Sequence, residues 1–163
     1  MGRLPIFLGI GLVVIVGAVV AILYTTKGSH LELKGEIIKI RTGAIDEHNS
    51  AAVIDFRLQN DADIPFVVRR VVVTAEKDNG DKVEGDLISK TDYKQLLEFN
   101  KFLGSQYNEG LVMKDRIAPH QTVDRMAAIH FPVPQSELDS SKQLRLYIQD
   151  MDGPEFETVK SMK

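Results

Sequence analysis

The chain has 163 residues, of which 44% are hydrophobic and 26% are charged, with a formal net charge of −3 at pH 7. This composition is that of an ordinary globular protein, and it excludes a wholly disordered chain. A net negative charge does not attract the phosphates of nucleic acid, so we expect no nucleic-acid partner. Cysteine is absent, which excludes disulfides, thiolate metal sites, cysteine nucleophiles and lipidation through cysteine.

An apolar stretch follows a short N-terminal tail of residues 1–3. Residues 4–24 carry no charge, and fourteen of these 21 residues are Leu, Ile, Val or Phe. As a helix they would span about 30 Å, the thickness of the hydrocarbon core of a bilayer. Insertion of these side chains into a bilayer is favourable by about 4–8 kcal/mol. The sequence therefore predicts a single transmembrane helix over residues 4–24, with a polar linker over residues 25–30.

The alternative for this stretch is a cleavable signal peptide, since residues 16–18 supply small side chains for a cleavage site. The apolar region of a signal peptide has only about 7–15 residues, so the longer stretch favours a retained anchor. The flanking charges are nearly balanced, because Arg3 precedes the stretch and Lys27 and Lys34 follow it. Short N-terminal tails usually stay inside, so we expect a cytoplasmic N-terminus and a periplasmic or extracellular C-terminal domain.

Two small residues lie on one face of the predicted membrane helix. Gly17 and Ala21 are four residues apart, in the small-xxx-small pattern that lets a second helix approach closely. We expect the lipid bilayer and other membrane protein subunits as partners of this helix. The alternative is that the helix is only a tether, because glycine is common in membrane helices.

Beyond the linker the hydrophobic pattern changes to a period of two, which indicates β-strands. In residues 31–42 the apolar positions change parity after Ile37, which predicts a bulge or a change of sheet. Residues 66–76 run into Asn79-Gly80, the signal for a two-residue hairpin turn. In residues 51–60 the apolar positions Ala52, Ile54, Phe56 and Leu58 alternate with the polar positions Asp55, Arg57 and Gln59.

Two later strands and a second hairpin complete the β pattern. We expect strands over residues 123–131 and 143–149, and a tight turn at Asp152-Gly153 before a last strand. Their inward rows are Ala127, Ile129, Phe131, Leu144, Leu146 and Ile148. Seven or so short strands separated by turns predict an antiparallel β-sandwich, immunoglobulin-like or fibronectin III-like, over residues 31–163.

The middle of the chain interrupts the β pattern with a predicted short helix over residues 91–99. Ser89 and Asp92 have the spacing of a capping box, with Asp in place of the usual Glu. Three apolar side chains then share one helical face: Tyr93, Leu96 and Leu97. The unit is therefore expected to be mainly β with one inserted helix.

A connection of about 20 residues follows this helix and carries Phe102, Tyr107 and Met113. Connections of this length inside a compact domain are often functional. One hypothesis is that the helix and these residues cap an open end of the sandwich. The other is that they bind a partner protein, because exposed aromatic side chains commonly anchor interfaces.

Arg69 and Arg70 are consecutive residues within a predicted strand. Because consecutive strand residues face opposite sides of a sheet, one of the two arginines should meet the apolar side. We expect an edge position or a bulge there, with an ion pair to a carboxylate such as Asp86 or Asp124. The alternative is that the arginines bind an acidic partner or a lipid headgroup, for which the guanidinium fork is suited.

No constellation of residues in the sequence supports catalysis. The four histidines, His30, His48, His120 and His130, occur singly without the spacing of metal ligands. The serines lack the G-x-S-x-G context of a hydrolase, and the chain beyond the apolar stretch lacks glycine-rich phosphate-binding loops. We therefore expect a non-enzymatic protein with no cofactor, no metal and no small-molecule substrate.

The stretch VIDFRLQNDADIPFVVRRVVVTAEKDNG at residues 53–80, with IAPHQTVDRMAAIHF at residues 117–131, resembles the late embryogenesis abundant type 2 group, or WHy domain. In that family a strand ends in an Asn-Pro-Asn-like turn, and a proline turn precedes a later strand. The resemblance covers about residues 31–150, although residues 60–63 lack the proline and the helix at residues 91–99 is additional. It implies a fibronectin-like sandwich without catalysis, in a family associated with desiccation and stress tolerance and often exported in bacteria.

Two hypotheses of function follow from these patterns. In the first, the chain is an accessory or structural subunit of a membrane protein assembly, with an exported β-sandwich domain. In the second, it is a free-standing membrane-anchored module for binding or stress protection of the WHy-like kind. Replacement of Gly17 by leucine distinguishes the two, because it should disrupt helix packing in an assembly and leave a tether unharmed.

Overall fold

A computed structural model of the chain describes residues 14–20 and 33–162. Residues 14–20 form a helix, labelled α1. The rest of the predicted transmembrane helix, with Ala21, lies outside the described residues. Within the described ranges, no helix is long and apolar enough to cross a membrane. The chain divides into two compact units, Met1–His30 and Leu31–Lys163.

The second unit is mainly β, as predicted. Its strands are β1 Leu33–Ala44, β2 Ser50–Asn60, β3 Phe66–Glu76, β4 Lys82–Leu87, β5 Glu109–Gly110, β6 Arg116–Ile117, β7 Gln121–Phe131, β8 Gln143–Asp150 and β9 Glu155–Ser161. Its helices are α2 Lys90–Phe99, a 3-10 turn Lys101–Leu103 and α3 Gln135–Asp139. The predicted inserted helix is α2, and the short α3 was not predicted because its sequence carries no helical apolar pattern.

The strands form a nearly closed antiparallel sheet, to which only β5 adds in parallel. The order is β1-β2-β7-β4-β3-β8-β9, with β5 on β7 and β6 on β3. Strand β4 forms the corner between the two halves of the sheet, because its first part pairs with β3 and its last two residues pair with β7. Gly85 lies at this corner, where a Cβ atom would be 2.4 Å from Ile129. The close approach of β4 to β7 therefore requires glycine.

The main core lies between the two halves of this sheet, which face each other as in a β-sandwich. All the predicted inward rows are buried in it: Ala52, Ile54, Phe56, Leu58, Ala127, Ile129, Phe131, Leu144, Leu146 and Ile148. Their period of two places each row on a single face of its strand. Burial of a Leu, Ile or Phe side chain contributes about 1.5–3 kcal/mol, so burial of these rows stabilises the fold.

A bulge in β1 changes which of its side chains face the core. The register with β2 is regular up to Ile37 and resumes at Lys39, which leaves Ile38 unpaired. Ile37 is buried in the core, and Ile40 packs against the same core after the bulge. The predicted change of parity is confirmed, and it turns Arg41 to the opposite face of the sheet.

The β3–β4 hairpin confirms the predicted turn but not its length. The backbone nitrogen of Lys77 donates to the oxygen of Asp81 at 2.9 Å, so residues 78–80 form a three-residue loop. Gly80 donates to the oxygen of Lys77 at 3.0 Å and has a φ of 89°. This is the left-handed position of a three-residue hairpin, which glycine adopts without steric cost.

Candidate functional site

Helix α2 lies on the face of the β2–β7 pair that points away from the main core. A second hydrophobic cluster forms there from Ala51, Val53, Tyr93, Leu103, Met126 and Ala128. The strand residues of this cluster have the opposite parity to the core rows of the same strands. The prediction that the helix caps an open end of the sandwich is therefore wrong, because α2 covers the outer face of one half of the sheet.

The start of α2 is fixed by the predicted cap. Ser89 Oγ accepts a hydrogen bond from the backbone nitrogen of Asp92 at 3.3 Å and donates to Asp92 Oδ2 at 2.7 Å. Tyr93 is buried in the next position, against Gly110 of β5, where a Cβ atom would lie 2.6 Å from the tyrosine ring. The glycine therefore makes room for the ring that anchors the helix.

Arg41 and Asp55 form a buried ion pair beside α2. The distance from Arg41 Nη2 to Asp55 Oδ2 is 2.8 Å, and the side chains are 8% and 5% exposed. Arg41 Nη1 also donates to the backbone oxygens of Leu103 and Ser105, and Asn108 Nδ2 donates to Asp55 Oδ1. The pair thus holds the segment 103–108 against the sheet. Asp55 belongs to the polar row of β2, yet it is buried because this segment covers it.

Tyr107 lies on top of this ion pair. The centre of its ring is 4.8 Å from Arg41 Cζ and 5.7 Å from Lys39 Nζ. At these distances the ring attracts both cations through its negative face. The tyrosine nevertheless stays 64% exposed, so one side of the ring remains open to a partner.

The end of α2 and the 3-10 turn expose two phenylalanines. Phe99 is 89% exposed and Phe102 is 92% exposed, and Ile45 of the β1–β2 loop is exposed beside them. We call these three residues the aromatic patch. They line an open groove of about 690 Å³. Its remaining walls are Ala44, Leu96, Asn100, Lys101 and Gln135.

Asn100 holds the backbone of the aromatic patch in place. Its Nδ2 donates to the backbone oxygen of Ala44 at 2.8 Å, and its Oδ1 accepts from the backbone nitrogen of Phe102 at 3.1 Å. Its own backbone nitrogen continues the helix by donating to Leu96. One side chain thus connects α2, the 3-10 turn and the end of β1, so the two phenylalanines project from a rigid support.

The structure does not bring Met113 to the aromatic patch. Met113 is exposed on a turn next to β3, where Lys114 donates to the oxygen of Val68 and Val68 donates to the oxygen of Asp115. Phe99 is the member of the patch that sequence reasoning missed. Its position on α2 opposite the Tyr93 face is the signal that points to its exposure.

Arg69 and Arg70 lie at a second bulge. The register of β3 with β8 shifts between Val68 and Arg70, so Arg69 is the extra residue and both arginines are exposed. The bulge and an ion pair to a carboxylate agree with the first of the two hypotheses, but the partner is Glu84 and neither Asp86 nor Asp124. Arg70 lies 3.3 Å from Glu84, whereas Asp124 pairs with Arg57. A docking role for the two arginines stays a prediction.

Gly17 lies within the described helix α1. A Cβ atom at this position would have nothing within 4 Å among the described residues. The role of Gly17 and Ala21 in helix packing stays a prediction. Within residues 14–20 and 33–162, no group of three or more potential ligands is arranged to hold a metal ion.

No protein-family model matches the chain, and no curated protein matches it. Among solved structures, the chain is similar to an uncharacterized β-sandwich protein from Clostridium difficile 630. The two sequences are 16% identical, the similarity covers 82% of each chain, and the TM-score is 0.36. A likeness of this degree says nothing of what either protein does.

Proposed function

We propose that this chain is a non-enzymatic, single-pass membrane protein, an accessory or structural subunit of a membrane assembly. Its apolar N-terminal stretch is the anchor, and its β-sandwich domain is exported and binds a partner protein. The observation that carries the proposal is the aromatic patch, in which Phe99 and Phe102 are 89% and 92% exposed. Both rings project from a supported turn and cover no part of the core.

The exposed rings supply free energy for association. Full burial of a phenylalanine side chain contributes about 1.5–3 kcal/mol, so covering Phe99 and Phe102 would contribute about 3–6 kcal/mol. Asn100 already fixes the backbone between them, so little backbone entropy is lost on binding. Aromatic side chains held in this way are the usual anchors of protein interfaces. Tyr107 and its cation pair extend the surface along the same segment.

The proposed membrane anchor is supported by the amino-acid composition of residues 4–24 and not by contacts in the structure. Residues 4–24 have the length and apolarity of a membrane-spanning helix, and Gly17 leaves room for a second helix. The lipid bilayer and further membrane subunits are therefore the proposed partners of this part. The proposed orientation is a cytoplasmic N-terminus and a periplasmic or extracellular domain.

A second candidate is the free-standing, membrane-anchored module of the WHy-like kind, with an immunoglobulin-like or fibronectin III-like sandwich. One observation favours it. Asn60 is buried where β2 ends, and its Nδ2 donates to the oxygens of Ile64, Ile117 and Ala118. This single side chain joins the asparagine turn and the proline turn that carry the resemblance.

Purification of the full chain from native membranes in mild detergent tests the proposal. We expect the wild-type chain to elute with one or more membrane proteins in fixed ratio. The variant with Phe99→Ser and Phe102→Ser should lose those proteins, while Met151→Ser, an exposed apolar position on the β8–β9 turn, should retain them. Elution of the wild-type chain only as a monomer would contradict the subunit proposal and favour the free-standing module.

A further inference from the structure

We propose that the seam between β1 and β9 binds an extended, acidic segment of a partner protein as an added β-strand on β1. This inference rests on the proposed function in that the partner is a protein. It assigns to that partner a conformation and a charge. It also assigns a second contact surface, distinct from the aromatic patch.

The seam is the place where the sheet fails to close. Strands β1 and β9 stand at the two ends of the strand order and lie against each other without a hydrogen-bonded ladder. Between them is an open slot of about 420 Å³. Its lining is Ile38, Lys39, Ile40, Thr42, Asp139, Lys160, Ser161 and Met162. Sheet edges of this kind are the sites at which extended peptides add as strands.

One part of the β1 edge is already covered, and the next part is not. Lys160 Nζ donates to the backbone oxygens of Ile37 and Ile38, at 3.1 and 2.7 Å, and so closes the edge at the bulge. From Lys39 to Thr42, β1 pairs with β2 on one side and, among the described strands, with no strand on the other. This four-residue edge is the proposed position of the partner strand.

The side chains of the slot leave apolar surface for such a strand. Ile40 and Met162 pack against the core but are only partly buried, and Ile38 is 42% exposed. A strand on the β1 edge would place alternate side chains over Ile40 and Met162, because side chains of neighbouring strands lie side by side on each face. The apolar residues of the added strand would then cover the partly exposed core side chains between β1 and β9.

The charges of the slot favour an acidic strand. Its lining contains two cations, Lys39 and Lys160, and one carboxylate, Asp139, which accepts a hydrogen bond from Thr42 Oγ1 at 2.6 Å. A second copy of this chain is a poor occupant, because pairing two β1 edges about a two-fold axis would bring the lysines of both copies together. A partner segment that alternates apolar and acidic residues matches both the charges and the apolar lining.

The slot adjoins the groove of the aromatic patch. Strand β1 runs from Thr42 in the slot to Ala44 in the groove, and α3 runs from Gln135 at the groove to Asp139 at the slot. One partner can therefore contact both surfaces. Its extended segment would lie along β1, and an apolar surface would cover Phe99 and Phe102.

Amide hydrogen exchange of the full chain in detergent micelles tests this inference. The probe is a short synthetic peptide of alternating valine and glutamate, capped at both ends. We expect millimolar peptide to slow exchange at Lys39–Thr42. The same peptide with lysine in place of glutamate should bind at least about tenfold more weakly, because it places like charges beside Lys39 and Lys160. A version with proline at the centre should give no protection, because proline lacks the N–H that a strand ladder needs.

Substitutions in the slot distinguish binding of the peptide at this site from nonspecific binding. Lys160→Glu should weaken binding of the acidic peptide by at least about tenfold, and Lys160→Met, which keeps the apolar stem, should weaken it less. Lys94→Glu, on the exposed side of α2, is the matched control and should leave binding unchanged. Absence of protection at Lys39–Thr42, or protection at the aromatic patch instead, would overturn the inference. Phe99→Ser with Phe102→Ser should leave peptide binding intact, so failure of strand addition and failure of the proposed function are distinguishable.

Discussion

Arg41 and Asp55 are bound to each other at 2.8 Å on the outer face of the sheet, beneath the segment 103–108. Arg41 joins this segment through the backbone oxygens of Leu103 and Ser105, and Asp55 joins it through Asn108. Arg41 Nε has no hydrogen-bond partner among the described residues, so the burial of this charge is only partly compensated. The pair therefore positions the surface segment that follows the aromatic patch.

Removal of Asp55 should destabilise the domain strongly. Asp55→Ala leaves the guanidinium of Arg41 buried without a counter-charge, and loss of one partner of a buried pair costs about 3–5 kcal/mol. Urea unfolding measures the change in the free energy of unfolding. Amide exchange should also rise at residues 103–108, because the hydrogen bond from Asn108 to Asp55 is lost and Arg41, which binds Leu103 and Ser105, loses its counter-charge.

Two further variants control this experiment. Asp124→Ala removes the partner of the exposed Arg57 and should change stability little, since solvent screens that pair. Replacement of both buried charges, Arg41→Met with Asp55→Leu, should recover part of the lost stability, because no charge is then left buried. An Asp55→Ala variant as stable as the wild-type chain would show that the pair does not hold the segment.

Acid should weaken the domain through Glu76. Gln143 and Arg145 donate hydrogen bonds to this carboxylate and hold its pKa below the ordinary value of 4.5. The folded state therefore binds the proton less tightly than the unfolded state does. The stabilisation is present above the unfolded pKa of about 4.5 and is lost as pH falls through the lower folded value.

Urea unfolding midpoints as a function of pH test this expectation. The midpoint of the wild-type chain should fall as the pH is lowered below about 4.5. Glu76→Gln should lower the midpoint at neutral pH and make a smaller difference in acid, where the wild-type carboxyl is itself protonated. A difference between the two chains that stays constant over the whole pH range would exclude a contribution from this ionisation.

Gly17→Leu should disrupt an assembly without harming the fold. Apart from its neighbours and the backbone of α1, no described atom lies within 4 Å of a Cβ at this position. In a helix–helix contact the larger side chain would keep the neighbouring backbone away. Co-purification from native membranes should therefore drop while the amount of membrane-bound chain is unchanged. Unchanged co-purification would show that α1 is a tether.

Carbonate washing of membranes tests the anchor. If residues 4–24 are the proposed anchor, their fourteen Leu, Ile, Val and Phe side chains would contribute about 4–8 kcal/mol to insertion, and the intact chain should stay in the membrane pellet. Sequencing of the mature N-terminus should find residues of this stretch still attached to the domain. Release of the intact chain, or a mature terminus beginning after residue 18, would contradict a retained anchor and support a cleaved signal peptide.

The strands and their inward rows could be predicted because each depends on local alternation. The bulge at Ile38 could also be predicted from the sequence, because a change of parity in the apolar positions has few other causes. The length of the Asn79-Gly80 loop could not be predicted. The signal for a hairpin does not fix whether the glycine is the second or the third residue of the loop.

The burial of Asp55 could not be predicted from alternation, which assigns the polar row of β2 to solvent. The covering segment follows α2, about 50 residues later in the chain, and only the folded chain shows where it lies. The sequence nevertheless contains an indication that this face of the sheet is covered. Ala51, Val53 and Ala128 are small apolar residues on the supposedly solvent-facing side of β2 and β7, as a sheet face covered by a helix requires.

The aromatic patch was predicted in part. The place of Phe102 in a long connection indicates a functional residue, whereas Phe99 is only the last residue of a predicted helix. Its partner Ile45 lies in the β1–β2 loop, and their proximity depends on the hydrogen bond from Asn100 to Ala44. Contacts of this kind join distant parts of the chain and leave no periodic pattern in the sequence.

The most direct test of the proposed function places a photoreactive phenylalanine analogue at position 102 in the full chain in its native membrane. Irradiation should yield a discrete covalent adduct with a membrane protein, and Phe99→Ser should reduce its yield. The same analogue at position 151, exposed on the β8–β9 turn, is the control and should give none. No adduct from position 102, or the same adducts from both positions, would contradict a subunit that binds its partner through Phe99 and Phe102.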